Sequence, residues 1–313
     1  MSESEKNKNE KKYKSGFVAI IGRPNVGKST LLNNFIGNKV AIVTDKPQTT
    51  RHRIVGVRHF ENGQIVFIDT PGIHDISKFE LNKYLNEIAY SVIPDADIIL
   101  FVIDAEKGLT EEDKKILEKI KEKKKENTKV YLIINKIDKV KKEDLLPLID
   151  KISKEYPWIQ EIIPSCATRG TNLDRILEVI ERDLPEGVPY YPEDQFTDMP
   201  LDLLIAEIIR EKIMMLTDKE VPHSTTVVVE NIAPGDYNKD MLVIDAIIYV
   251  EKKSHKPIII GKGGQRLKKI GILARQELEK LLGKKVYLRL WVKVKEGWRD
   301  NRRLLKSFGY QVE

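Results

Sequence analysis

Sulfur is scarce in this chain. Cys166 is its one cysteine, so no internal disulfide and no multi-cysteine metal site can form. Long apolar runs are missing too: nothing approaches the 18 residues that a membrane-spanning helix needs. The opening residues, 1–15, contain no apolar stretch. They read as a short disordered tail and not as a secretory leader. No internal repeat is visible. What is present is ample material for packed cores, with 41% hydrophobic residues, and a wet surface, with 33% charged. At 313 residues two domains are expected, in a soluble, cytoplasmic, monomeric protein.

Charge is unevenly spread. Residues 1–199 carry 32 basic against 33 acidic side chains, and residues 200–313 carry 22 against 15. From Ile258 onward the ratio is 15 to 5. A neutral first part joined to a basic second part suggests two tasks, the second involving a polyanion.

Hydrophobic patterning divides the chain in the same way. FVAIIG (17–22) is a buried-type strand followed by a helix from Gly27 to Ile36. Alternation over 53–60 and 64–70 predicts two strands with a turn at Asn62-Gly63. Then come a helix over 77–93, a strand over 97–104, a helix over 110–126, a strand over 130–135, a helix over 142–154, a strand near 160–164 and a helix opening at Asn172. Strands alternating with helices predict an α/β unit, a mostly parallel sheet with helices on both faces. The stretch LPEGVPYYPEDQFTDMP (184–200) has four prolines and no period, and 185–199 is taken as a linker. The expected divisions are therefore 16–184 and 200–313.

Chemistry begins where the first strand ends. GRPNVGKS (22–29) has the spacing of a phosphate-binding loop between strand and helix. Gly22 and Gly27 free the loop between them, Arg23, Pro24, Asn25 and Val26, so that its amide hydrogens, which Pro24 lacks, aim at phosphate oxygens. Lys28 reaches the outer phosphates, Ser29 ligates Mg²⁺, and Thr30 follows in the helix. DTPG (69–72) supplies Asp69 to the Mg²⁺ shell and the Gly72 amide to the γ-phosphate, with Thr70 and Pro71 between them. NKID (135–138) selects the base. The Asp138 carboxylate accepts two donors that guanine has and adenine lacks, Asn135 ties neighbouring loops, and Lys136 lies along the base. Backbone amides around Ser165, Cys166 and Ala167 complete that pocket. In KPQTTRHR (46–53) a threonine can close over the γ-phosphate and finish the Mg²⁺ shell; Thr50 is the choice, Thr49 the rival. The ligands so implied are GTP and GDP with Mg²⁺.

Taken in order, GRPNVGKS, QTTRHR, DTPGIH, NKID and SCATRGTN resemble the Era family of GTPases, QTTRHRIVG being the most telling stretch. The likeness runs from about Gly16 to the C-terminus. It implies a P-loop GTPase domain followed by an α+β type II KH domain, and a slow hydrolase, because Ile73 stands where Ras-like proteins carry a water-orienting glutamine. It gives catalytic roles to Asn25, Lys28, Thr50 and Gly72, and implies that Asn25 recruits K⁺. Cys166 replaces the family's usual serine, with little loss expected.

The resemblance extends to partners: the 3′ end of 16S rRNA and the 30S ribosomal subunit during its assembly. The Gly-x-x-Gly turn Gly261, Lys262, Gly263, Gly264 would clamp unpaired nucleotides, Arg266 and Lys268 would add charge, and Ile258, Ile259, Ile260, Leu267, Ile270, Ile272 and Leu273 would floor the groove. By pattern KPIII is a strand; the KH likeness makes it a short helix. Trp291 and Trp298 read as packing residues. GTP is expected to order Thr50 and the 69–76 loop and so to make RNA access depend on nucleotide state. Two readings from other classes are a module using GTP only as a structural ligand, and a regulator whose basic surface meets anionic lipid of the inner membrane.

Overall fold

The computed structural model describes residues 12–74, 79–235 and 238–310. Its first segments are β1 (Lys14–Gly22), α1 (Lys28–Ile36), β2 (Ile54–Phe60), β3 (Gly63–Asp69) and α2 (Glu80–Ser91). They are followed by β4 (Ile98–Asp104), α3 (Glu111–Lys123), β5 (Lys129–Asn135), α4 (Lys142–Glu155), β6 (Glu161–Pro164) and α5 (Leu173–Asp183). The six strands form one sheet in the order β2-β3-β1-β4-β5-β6, with β2 alone antiparallel to its neighbour. Central strands buried on both faces need unbroken apolar sequence. All seven residues of β4, IILFVID, are buried, and Ile21, Phe101 and Leu132 pack into the same core. Pairing of Ile20 with Asp69 and of Asp104 with Asn135 brings the carboxyl ends of the strands to one edge of the sheet. Open α/β sheets bind ligands outside that edge.

Several expectations shift. β1 begins at Lys14, inside the expected tail, because Lys14 and Ser15 pair with Gly63 and Gln64; residues 1–11 lie outside the described residues. The hairpin turn is Glu61-Asn62, and Gly63 pairs with Phe60. Neither turn residue has positive φ. Glycine is needed at 63 for closeness, since a Cβ there would meet the Lys14 carbonyl at 2.1 Å. The predicted 77–93 helix ends at Ser91, before a 3-10 turn carrying Pro94, which cannot continue the ladder. Residues 75–78 lie outside the described residues.

A second compact unit holds residues from Met199 on, together with Ile42–His52 and His74–Ile88. Those two short segments were expected in the first domain. The elements from Met199 on are α6 (Leu201–Leu216), β7 (Thr225–Pro234), β8 (Met241–Val250), α7 (His255–Ile260), α8 (Gln265–Leu282), β9 (Lys285–Val294) and α9 (Arg302–Ser307). β8 pairs antiparallel with β7 and parallel with β9. Ile209, Ile213, Ile244, Ile248, Ile270 and Leu278 form the core of this sheet and its helices. KPIII is helical, with His255 and Ile259 buried one turn apart.

Buried charge explains why 42–52 folds with this unit. Arg51, fully buried, donates to the carbonyls of Thr225 (2.8 Å), Pro222 (3.2 Å) and His223 (3.0 Å). Arg210 pairs with Glu207 and donates to the Thr49 carbonyl. Lys46 donates to the carbonyls of Met214 (2.6 Å) and Thr217, and to Asp218 (2.9 Å). A buried cation is stable only where carbonyls and carboxylates accept most of its protons; of the Arg51 donors, the Nε is left without a partner. Leu81 and Leu85 of α2 pack with Trp298, Leu305 and Tyr310. Among the described residues no helix is long and apolar enough to cross a membrane.

His52 stacks on Tyr310, ring centroids 5.0 Å apart. Burial pushes its imidazole down to about 4, with Glu207 pulling the other way and Arg210 and Arg51 adding to the drop. Unfolded, the same ring protonates near pH 6.5, so between pH 6.5 and 4 the unfolded chain binds the extra proton and acid destabilises the fold. The cost reaches about 3 kcal/mol across that window. Thermal unfolding midpoints should therefore fall from pH 6.5 to 4, and less steeply in His52→Phe; equal slopes in the two proteins would contradict this.

Candidate functional site

Three loops meet at the carboxyl edge of the first sheet, and Asn135 joins them. Its amide nitrogen donates to the Val26 carbonyl (2.8 Å). Its amide oxygen accepts from the Ala167 amide (3.0 Å) and the Ser165 hydroxyl (3.3 Å). Gly27 follows from this arrangement: at φ 102° it sits where a Cβ would come within 2.2 Å of the Asn135 nitrogen. Alanine there would be both strained and in collision. The Gly72 position is as tight, with the Pro24 backbone nitrogen 2.7 Å from where a Cβ would lie. Thr70 donates to the Ile20 carbonyl (2.8 Å) and the Ile73 amide to the Gly22 carbonyl (3.3 Å), so the DTPG loop is pinned to the loop after β1.

Lys28 is buried, its ammonium donating to the carbonyls of Gly22 (3.0 Å) and Arg23 (2.9 Å). Burial lowers its pKa to about 8 against the pull of Asp69. A polyphosphate beside it would restore full charge, since an adjacent anion favours the protonated form. Ser29 donates to Asp69 at 2.6 Å, and the Asp69 residue is wholly buried. Two hard oxygens converging in one place fit Mg²⁺, which takes its remaining ligands from phosphate and water. Thr50, the third expected ligand, is buried and belongs to the second unit. Asn25 takes positive φ, 60°, and its carbonyl accepts from Lys136 at 2.5 Å.

Beside this loop lies a cleft of about 220 Å³ lined by Gly27, Thr30, Asn135, Lys136, Asp138, Cys166 and Ala167, among others. Lys136 is held by Asp104 at 2.7 Å. Asp138 stands at the mouth, its carboxylate 3.7 Å from Arg169. The Cys166 thiol donates to Asp138 at 3.1 Å, and chiefly for that reason the carboxyl lies below its ordinary range. Sequence reasoning gave this side chain no part; a donor at the position of the family's usual serine was the available signal. The cleft thus holds an ionised carboxylate able to accept from a base edge that carries two donors.

The second unit carries another cleft, about 770 Å³, between α8 and β9. Gly264, Leu267, Lys268 and Ile272 line it as expected, with Arg275. Gly261 and Gly264 at φ 75° and 77°, and Gly263 at 57°, make the turn at its end, and Arg266 folds back onto the Ile258 carbonyl. Lys262 and Gly263 are exposed; Ile258 is exposed and Ile260 half-buried. Two expectations fail here: Ile259 and Ile270 are wholly buried in the core and offer no surface. The opposite wall, Val286, Leu288 and Leu290 of β9, was missed, because a strand 20 residues downstream gives no local hint of facing a helix. Trp298 is buried as expected, donating to the Ser224 carbonyl (3.1 Å). Trp291 is not a packing residue; it stands 46% exposed.

Comparison with known proteins bears on both sites. A family described as 50S ribosome-binding GTPase matches residues 17–136, and the KH domain family matches residues 220–299. GTPase Era of Aquifex aeolicus (strain VF5) is 51% identical over 302 residues, 96% of this chain and 100% of that protein. GTPase Era of Alkaliphilus metalliredigens (strain QYMF) is 50% identical over 299 residues, 96% and 99% of the two chains. A crystal structure of Era in complex with MgGDPNP and nucleotides 1506–1542 of 16S ribosomal RNA is 51% identical, covers 96% of this chain and 100% of that one, and superposes with a TM-score of 0.93.

The cleft makes a direct prediction. Asp138→Asn turns an acceptor into a donor facing the guanine amino group, which should cost about 3 kcal/mol, roughly a hundredfold in Kd for GDP. Xanthosine diphosphate should bind this variant more tightly than GDP does. Calorimetry with both nucleotides measures it, and retained guanine preference would refute the assignment of Asp138.

Proposed function

Because the chain belongs to the Era family of GTPases, we propose that it is a GTP-driven switch that grips the 3′ end of 16S rRNA during assembly of the 30S subunit. It hydrolyses GTP to GDP and phosphate and uses Mg²⁺. The observation that best supports the RNA half is the near-complete match to an Era structure holding both MgGDPNP and 16S rRNA. The 50S of the wider family's description is not carried over, since the RNA in that structure is 16S. The work is placed in the cytoplasm, and no observation favours the lipid-facing alternative.

The roles follow from chemistry already described. Backbone amides within 22–30, Pro24 excepted, and Lys28 hold the phosphates, Ser29 and Asp69 hold Mg²⁺, and Asp138 reads the base. With Ile73 buried against the core and unable to orient water, hydrolysis is slow until another group assists. Asn25 is assigned to a K⁺ that supplies positive charge near the outer phosphates. Thr50 is the residue that closes over the γ-phosphate. Its segment is held in the second unit by Arg210 and Lys46, so a triphosphate that recruits Thr50 competes with those bonds. RNA affinity is thereby linked to nucleotide state, and each ligand shifts the other by the same factor.

Two measurements test the reading. Crosslinking to total RNA with GTP and with GDP should map to the 16S 3′ end and favour GTP. Lys262→Asp with Gly263→Asp should abolish crosslinking and spare GTP binding, because both positions are exposed, a Cβ at Gly263 meets nothing within 4 Å, and Asp tolerates positive φ. Equal loss of both activities would defeat it. Separately, turnover in KCl should exceed that in NaCl by roughly tenfold or more, a small share of what an arginine finger supplies; equal rates would remove K⁺ from the mechanism.

A further inference from the structure

The sheet of the second unit buries one face. Val286, Leu288, Leu290, Val292 and Val294 alternate along β9 toward the core. The positions between them, Lys285, Tyr287, Arg289, Trp291 and Lys293, are all exposed. Every one of the five is basic or aromatic. Tyr287 and Trp291 keep 55% and 46% of their surface in water, which wastes two large apolar side chains unless something covers them. Alternate residues of a strand share a face, so Tyr287, Arg289 and Trp291 make one row about 13 Å long.

The row is already ordered. Arg289 lies opposite Asp245 of β8 and grips its carboxylate through two hydrogen bonds, 2.5 and 2.8 Å long. The guanidinium is thereby fixed 5.9 Å from the Trp291 ring centre. The pairing also cancels Asp245, leaving Lys285 and Lys293 as the strand's net charge; Lys285 reaches only as near as 4.0 Å to Glu279. At the far end of the sheet Tyr249 stacks on Phe308 of α9, so that part of the face is covered and the β9 part is not.

Position links the row to the groove. β9 is an edge strand, and Tyr287 lines the cleft between α8 and β9 while belonging to the open face. We propose that this open face of β9 is a second single-strand RNA contact, in which bases beyond those held in the groove stack on Tyr287 and Trp291 and phosphates meet Lys285 and Lys293. Aromatic faces with interleaved basic groups suit single strands, since every base has a π-face and no edge pattern is required. A protein partner is disfavoured because the exposed positions of the strand carry one sign of charge. The inference rests on the groove taking RNA and extends the footprint beyond it.

The test uses the full chain and two RNAs of 16S 3′ sequence: one of about five nucleotides, enough for the groove, and one of about twelve. Tyr287→Ala and Trp291→Ala should each weaken the longer RNA about 5- to 150-fold, the value of one stacked base; Trp291→Ala, at a position outside the groove lining, should leave the short RNA unchanged. Trp291→Phe should keep most of the affinity. Of the three tryptophans only Trp291 is exposed, so the longer RNA should shield wild-type fluorescence from acrylamide and the short one should not. Wild-type affinity of both alanine variants for the longer RNA, with Trp291 still open to acrylamide, overturns the proposal. So does weakened association with 30S particles at unchanged RNA affinity, which points to a protein partner. Failure of the groove reading looks different: wild-type protein would bind neither RNA.

Discussion

The nucleotide site depends on one carboxamide. Asn135 is 2% exposed and spends its donor on the phosphate loop and its acceptor on the loop after β6. With both ends of a side-chain amide committed in a buried setting, the two loops cannot drift independently, because a displaced partner would leave a polar atom buried and unpaired. Gly27 and the whole shape of the phosphate loop conform to that amide. Asp138, the residue proposed to read the base, comes three residues later on the same chain segment. The loops proposed for phosphate binding and for base selection are thus mechanically coupled.

The second unit is built around a harder constraint, several cations in an apolar interior. Arg51 and Arg210 are each wholly enclosed, and Glu207 and a set of main-chain carbonyls take most of their protons. Such a cluster tolerates no half-measures: removing one member strands another. It explains how a short segment bearing Thr49 and Thr50, with no secondary structure of its own, is held in a defined place. A segment retained by polar contacts instead of a wide apolar face is also one that a competing ligand can release.

The motifs were legible as one-dimensional strings because their spacing is imposed by local backbone geometry. A strand end, a glycine-permitted turn and a helix start fall within eight residues, from Gly22 to Ser29. The sheet was readable for a similar reason, since strands buried on both faces must be apolar throughout. Failures occurred where distant segments decide. Ile259 and Ile258 are neighbours of the same chemistry, yet one is in the core and the other in water, because a short helix turns consecutive side chains through 100°. Gly63 was read as a turn former; its true requirement is the nearby Lys14 backbone. Cys166 gave no sign that its thiol would meet Asp138.

By itself the sequence determined the two-domain division of labour, the order of the nucleotide motifs, the preference for guanine and the Gly-x-x-Gly turn, all consequences of contacts within a few residues along the chain. Only the tertiary structure decided that residues 42–52 fold with the second unit, which wall faces α8 across its groove, and that Trp291 lies on an open face. Those outcomes depend on which buried charges find partners and which side of a strand meets a core. Both are settled by residues more than a hundred positions apart or by sheet pairing, and neither leaves a local trace.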